Sequence, residues 1–230
     1  MQKVSILIPV YNEINTIKII IEKIEQASFC GLEKEIILID DFSTDGTRDI
    51  LKSLEEKYKV IYHEKNQGKG AALRTGFSAV TGDITVIQDA DLEYEPSDYE
   101  GVIQLILDGK ADVAYGSRFL DLSGSKTVVK ANFFANKMLT VFTNILFGAK
   151  LTDMETCYKA FKTSFIKDIN IKSNRFDFEP EITAKVLKKK AKVAEAPITY
   201  KGRSFEEGKK ISWKDGFPAL LALIKYRFID

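Results

Sequence analysis

The chain carries two cysteines, Cys30 and Cys157, and a single histidine, His63, in 230 residues. That scarcity excludes a thiolate zinc site, a disulfide framework and a His–His metal pair. A Ser-His-Asp triad would have to rest on His63 alone. Long apolar runs are missing as well. The nearest, Met138 to Ala149 and Phe217 to Ile224, fall short of the roughly 20 residues that span a bilayer, and Thr140, Thr143 and Asn144 interrupt the first. Met1-Gln2-Lys3 runs straight into Val4-Ser5-Ile6-Leu7-Ile8, without a signal-peptide core or cleavage site. We therefore expect a cytoplasmic chain, with peripheral contact at a membrane surface left open by its amphipathic stretches. Neither G-x-G-x-x-G nor G-x-x-x-x-G-K-[ST] occurs, which disfavours a dinucleotide oxidoreductase and a P-loop NTPase. Excess charge is also absent. With 34 Lys+Arg against 33 Asp+Glu, a net charge of +1 gives no reason to expect nucleic acid as a partner.

What is present is an ordinary globular composition, 45% hydrophobic and 29% charged, on a length that suits one large domain. The charge is unevenly divided. Residues 1–150 hold 17 Lys+Arg and 22 Asp+Glu, a balance of −5, and residues 151–230 hold 17 and 11, a balance of +6. Such a division fits either solvated faces or two halves that meet different chemical partners.

Short β-branched runs alternate with helical patterns. Strands are expected at Lys3–Val10, Glu35–Asp40, Val60–Tyr62, Asp83–Gln88 and Ala111–Tyr115. Between them lie a helix capped by Asn12 or Asn15, one opened by Thr44 or Asp45, one through Ala71–Val80, and one with Pro96 in its first turn. This order implies an α/β fold, a mostly parallel sheet with helices on both faces. Beyond residue 120 we expect one or two amphipathic helices over Thr127–Gly148 and a short strand at Cys157–Phe161. A helix at Glu179–Lys190, an extended stretch at Lys192–Tyr200 and a terminal helix at Trp213–Phe228 follow. No repeat or linker divides the chain, so residues 1–230 read as a single domain.

Ligands of such sheets bind beyond the carboxyl ends of the strands. Five strands here end in polar clusters: Pro9-Val10-Tyr11-Asn12-Glu13, Asp40-Asp41-Phe42-Ser43-Thr44-Asp45-Gly46-Thr47, Asn66-Gln67-Gly68-Lys69-Gly70, Asp89-Ala90-Asp91-Leu92-Glu93 and Gly116-Ser117-Arg118-Phe119. Any one is ordinary turn chemistry; five on one edge point to a site. Gly68-Lys69-Gly70 would bring backbone N–H groups and one ammonium near a diphosphate. Asp89 and Asp91, two residues apart past a buried strand, are costly together unless a cation neutralises them. Their hard oxygens suit Mg²⁺ or Mn²⁺ shared with substrate phosphates.

These motifs together resemble glycosyltransferase family 2, with its GT-A fold. Gly116-Ser117-Arg118-Phe119 and Asp153-Met154-Glu155-Thr156-Cys157-Tyr158-Lys159-Ala160-Phe161 are similar to its polyprenyl-phosphate sugar synthase branch, which includes dolichyl-phosphate mannose and glucose synthases. Phe178-Glu179-Pro180-Glu181 and the stretch Arg203 to Lys210 add to the likeness. The resemblance implies an inverting transfer of a hexose from a GDP- or UDP-linked donor to a polyprenyl phosphate. Residues 1–120 would bind the nucleotide-sugar and residues 121–230 the acceptor.

Under that resemblance, Pro9, Tyr11, Glu13 and Asp41 hold the nucleoside, and Asp40 shares that work or supports the loop. Asp89 and Asp91 bind the metal, with Glu93 as third ligand, although the branch often has Gln there. Lys69, Arg203 and Lys210 surround the phosphates. Asp153 is the family's candidate base, with Glu155 its competitor. A hydroxyl acceptor needs a base, whereas a phosphate monoester is already largely anionic near neutral pH. Arg118 and Lys130 suit an acceptor phosphate, since arginine matches phosphate oxygens bidentately. The aromatic stretch 133–147, the terminal helix and Lys188-Lys189-Lys190 would cradle a polyprenyl chain, meet the membrane or form a homodimer contact. The branch's fused transmembrane helices are missing from these residues, which leaves surface adsorption or a membrane-protein partner as the route to a lipid. Three other readings stay open: a saccharide or other hydroxyl acceptor, a non-catalytic nucleotide-sugar-binding subunit, and a nucleotidyltransferase. Trp213 and His63 read as structural.

Overall fold

The computed structural model describes residues 1–121, 130–203 and 216–229. In chain order its elements are β1 (Lys3–Val10), α1 (Ile17–Gln26), β2 (Glu33–Asp40), α2 (Thr47–Lys52), β3 (Lys59–Tyr62), α3 (Lys69–Ala79), β4 (Ile84–Ile87), a 3-10 turn (Pro96–Asp98), α4 (Tyr99–Leu107), β5 (Val113–Ser117), α5 (Lys130–Phe147), β6 (Lys159–Lys162), α6 (Thr163–Lys167), α7 (Phe178–Lys188), β7 (Val193–Pro197) and α8 (Gly216–Phe228). The strands form one sheet in the order β3-β2-β1-β4-β6-β5-β7. Its strands come from both halves of the chain.

Strand alternation builds two cores. Ile6 and Ile8 of β1, with Ile36 and Leu38 of β2, face the layer of α1 and α4, whereas Leu7, Ile37 and Ile39 face α3, α7 and α8. Helix α1 buries Ile17, Ile20, Ile21 and Ile24 at helical spacing. Each such side chain contributes about 1.5–3 kcal/mol when removed from water. Neither Asn12 nor Asn15 caps α1. Thr16 precedes it without a side-chain cap, and Asn12 sits at φ 53° with its Oδ1 accepting from Thr44 N at 2.8 Å. Gly46 precedes α2, and Asp45 accepts from Thr47 N at 3.0 Å.

Strands β1 to β4 pair in parallel, as do β5 and β7, but β6 runs antiparallel between β4 and β5. Its register sets Ala160 opposite Val86 and Lys162 opposite Ile84. The chain therefore enters β6 at the edge where β4 ends. Residues 152–158 are thereby delivered beside Asp89, at the carboxyl edge of the parallel strands.

Candidate active site

At the end of β2 the two aspartates are turned inward. Asp40 is fully buried, accepting from Arg48 Nε at 2.6 Å and from Ser43 N at 3.2 Å. Asp41 accepts from His63 Nδ1 at 2.7 Å, Gln67 N at 2.9 Å and Gly68 N at 2.7 Å. Asp40 thus supports its loop, and the Asp41 side chain organises the turn that leads into α3. His63, bridged onward to Thr75 Oγ1 at 3.0 Å, is structural. Gly68 N is spent on Asp41, not left facing a diphosphate. A Cβ at Gly68 or Gly70 would collide with the carbonyl oxygens of Asn174 and Ser173, so these glycines permit close backbone packing. Pro9 and Tyr11 are half-buried at the end of β1, next to the buried Glu13.

Lys69, the first residue of α3, reaches across to β4. Its Nζ lies 2.7 Å from Asp89 Oδ1, 2.9 Å from Oδ2 and 3.6 Å from Glu179 Oε1. Burial works against the Lys69 charge, but Asp89 beside it holds the ammonium well above the usual lysine value. Asp91 has the opposite surroundings. Burial, then the charges of Asp89 and Glu93, push its carboxyl up to about 7, against the pull of Arg203. Arg203 Nη2 lies 3.4 Å from Asp91 Oδ2 and 3.0 Å from Glu13 Oε1, tying the ends of β1 and β4 to the C-terminal half.

Glu93 does not join the Asp89–Asp91 pair. Its carboxylate accepts from Tyr200 OH at 2.8 Å and from Arg203 N at 2.8 Å, and its carbonyl accepts from Lys201 N. The expected third metal ligand instead holds a strap, residues 200–203, which also bridges Tyr94 through Tyr200. Among the described residues no three Asp, Glu, His or Cys side chains form a ready metal cage. The two aspartates still fit a hard divalent cation, which keeps several sites for phosphate oxygens and water. Lys69 and Arg203 are the charges now set against them.

Arg118 and Asp153, assigned separate roles from the sequence, form one unit. Nε and Nη2 of Arg118 donate to Asp153 Oδ2 and Oδ1, both at 2.7 Å, and Arg118 N donates to Oδ2 at 3.1 Å. Asp153 is fully buried, and the guanidinium lies over the Phe119 and Tyr200 rings. Asp153 thus fixes the Arg118 guanidinium in one orientation. Glu155 differs. Its Oε1 is buried without a hydrogen-bond partner. Burial and the charge of Glu179 raise its carboxyl to about 7, against Lys159 and Arg118. Lys159 is itself buried against Glu179.

Lys210 lies outside the described residues, as do Lys209 and Trp213, and Lys130 is described only as the first residue of α5. Sequence reasoning missed Arg48, Tyr200 and the role of Glu179, whose partners lie far off in the chain. A cation eight residues beyond Asp40 was the one local signal.

The sequence profile of "Glycosyl transferase family 2" matches residues 5–169. The chain belongs to that family. It is 31% identical over 221 residues to the dolichol-phosphate mannosyltransferase of Pyrococcus furiosus, covering 91% of this chain and 60% of that protein. It is 29% identical over 215 residues to the UDP-N-acetylglucosamine–dolichyl-phosphate N-acetylglucosaminyltransferase of Methanococcus voltae, covering 85% and 84%. The chain thus spans less than two thirds of the first relative's length and most of the second's. Among solved structures it is similar to glucosyl-3-phosphoglycerate synthase of Mycobacterium tuberculosis, with a TM-score of 0.76 over 100% of this chain and 80% of that one, at 16% identity. The architecture is that of a GT-A glycosyltransferase, an α/β fold on a mostly parallel sheet.

Proposed function

We propose that this chain is an inverting glycosyltransferase that moves a hexose from a nucleotide-sugar to a polyprenyl phosphate at a membrane surface. The observation that carries the lipid acceptor is a pair of exposed apolar stripes. On α5, Phe134, Met138, Val141 and Ile145 face solvent at helical spacing, and on α8 Phe217, Leu221, Ile224 and Phe228 repeat the same intervals. Ile145 and Phe228 are each 78% exposed. The two helices are neighbours, and Phe133 near the start of α5 packs edge-on against Phe119, next to Arg118. Lys225 and Arg227 close α8, suiting anionic headgroups. Adjacent stripes of this kind match a helix pair lying in a bilayer interface, a surface that a water-soluble acceptor does not require. No helix among the described residues is long and apolar enough to cross a membrane, and in this reading the two stripes rest on the bilayer surface.

The named relatives act with dolichyl-phosphate substrates, and the mycobacterial synthase was solved with Mn²⁺ or Mg²⁺ and uridine diphosphate. In this chain Asp89 and Asp91 would hold such a cation, which when bound takes up charge developing on the departing diphosphate. Lys69 fixes Asp89, and Arg203 and Lys210 meet the phosphates. Pro9, Tyr11, Glu13 and the Asp41 turn shape the nucleoside end. Arg118 and Lys130 receive the acceptor phosphate, with Asp153 orienting the Arg118 guanidinium. A phosphate monoester attacks as an anion already formed, so this reading asks no base of Asp153.

The test is radiolabel transfer from a panel of GDP- and UDP-hexoses, with Mg²⁺ or Mn²⁺, to a short polyprenyl phosphate and to a saccharide. Transfer to the polyprenyl phosphate with release of nucleoside diphosphate is expected. Transfer to the saccharide alone, or release of inorganic diphosphate, would overturn the reading.

A further inference from the structure

Several charges around the acceptor end are ion-paired. Arg118 faces Asp153, Lys159 faces Glu179, and Lys69 faces Asp89. Glu155, on the segment between α5 and β6, forms no ion pair among the described residues, and its Oε1, like Glu179 Oε1, is buried without a hydrogen-bond partner. The charged groups that act on it are Glu179 of α7, Lys159 of β6, Arg118 after β5 and Asp153 on its own segment. Their formal charges cancel. A buried carboxyl oxygen without a partner is costly, and a ligand that supplies one recovers that cost.

We propose that Glu155 recognises the acceptor phosphate as a neutral carboxylic acid, donating a hydrogen bond to a phosphate oxygen beside Arg118. The inference rests on the phosphate acceptor proposed above. An ionised carboxylate at this position would repel an incoming phosphate dianion, whereas a protonated one is a strong donor to it. The phosphate's own charge further favours the protonated form. Burial among balanced pairs raises the Glu155 carboxyl to about 7, so a large share of it carries its proton at neutral pH and below. The proton stays on Glu155 throughout, so the residue selects the acceptor without serving as a base. A hydroxyl acceptor would reverse the requirement, since it needs a proton taken away.

Glu155→Gln tests this, because the amide is neutral at all pH values and still donates. The acceptor KM is measured against pH with a short polyprenyl phosphate, beside donor hydrolysis and circular dichroism as checks on the donor site and fold. Relative to Glu155→Gln, the wild-type KM should climb about tenfold per pH unit above neutrality as Glu155 ionises. Titration of the phosphate and of Asp91 is common to both proteins and cancels in the ratio. Glu155→Ala, with no donor, should raise the acceptor KM about tenfold or more at low pH, while Glu155→Gln raises it only a few-fold. Loss of kcat by about a hundredfold in Glu155→Gln, with donor hydrolysis intact, would mark Glu155 as a base and overturn the proposal. An unchanged pH climb in that variant would also overturn it. Should the wild type transfer only to hydroxyl acceptors, the function proposed above fails first, and that result is visible without any variant.

Discussion

Asp91 and Asp153 lie at the same edge of one sheet, and their surroundings are opposite. Asp153 is buried and saturated by one arginine in a bidentate pair plus a backbone N–H. Asp91 is crowded by Asp89 and Glu93; its Oδ1 accepts only a backbone N–H, from Glu93 at 3.1 Å, and its Oδ2 lies 3.4 Å from Arg203 among the described residues. The first carboxylate is electrostatically complete; the second is short of positive charge. A buried pair that is complete contributes to structure, whereas a strained cluster of carboxylates marks where a ligand must deliver charge.

The contrast breaks most directly at Arg118. Arg118→Ala strands a buried carboxylate and should destabilise the fold by about 3–5 kcal/mol, read from the midpoint of denaturant unfolding. Removing the other carboxylate moves a different observable. Asp91→Ala should leave the unfolding midpoint near that of the wild type and lower transfer by about a hundred- to a thousandfold. With Mg²⁺ or Mn²⁺ at about 100 times its dissociation constant, the wild type should gain about 2.7 kcal/mol, a gain that Asp91→Ala lacks.

Glu155 adds a pH test. Its folded carboxyl is raised to about 7 from the ordinary glutamate value of 4.5, so between those values the folded chain binds a proton that the unfolded chain has released. Stability attributable to this group therefore falls as pH rises through that window, by at most about 3 kcal/mol, and the penalty is complete above it. Thermal melts of Glu155→Gln should lack that share of the slope. The smallest effect belongs to the strap. Tyr200→Phe removes the hydroxyl that Glu93 accepts and should cost about 0.5–1.5 kcal/mol, with a few-fold rise in donor KM.

The fold was legible where side chains follow a local period. Strands β1 to β5 lie within about two residues of the positions expected from their apolar runs. Helix caps were not legible: Asn12 has the right chemistry for a cap, but its oxygen is drawn to Thr44 across the loop. The direction of β6 was hidden because four residues carry no record of which edge they enter from. At the site, Asp89, Asp91, Lys69 and Arg203 stood out because they end strands or continue a recognised motif. Their pairings did not, since Arg203 meets Glu13 across 190 positions and Glu93 across 110. Sequence spacing identified the groups, and only the fold decided which would be neutralised by which.

The reversed β6 also dictates when this site forms during synthesis. Until Lys159–Lys162 leaves the ribosome, β4 and β5 have no strand between them, and each presents an open edge. Asp89 and Asp91 are made early, yet the residues that surround them on the acceptor side wait for a strand about 70 positions later. Closing a loop of this length, as the β1–β4 and β5–β7 pairings also must, slows assembly of the sheet. A nascent chain stopped short of Lys159 is therefore an aggregation hazard and not half an enzyme.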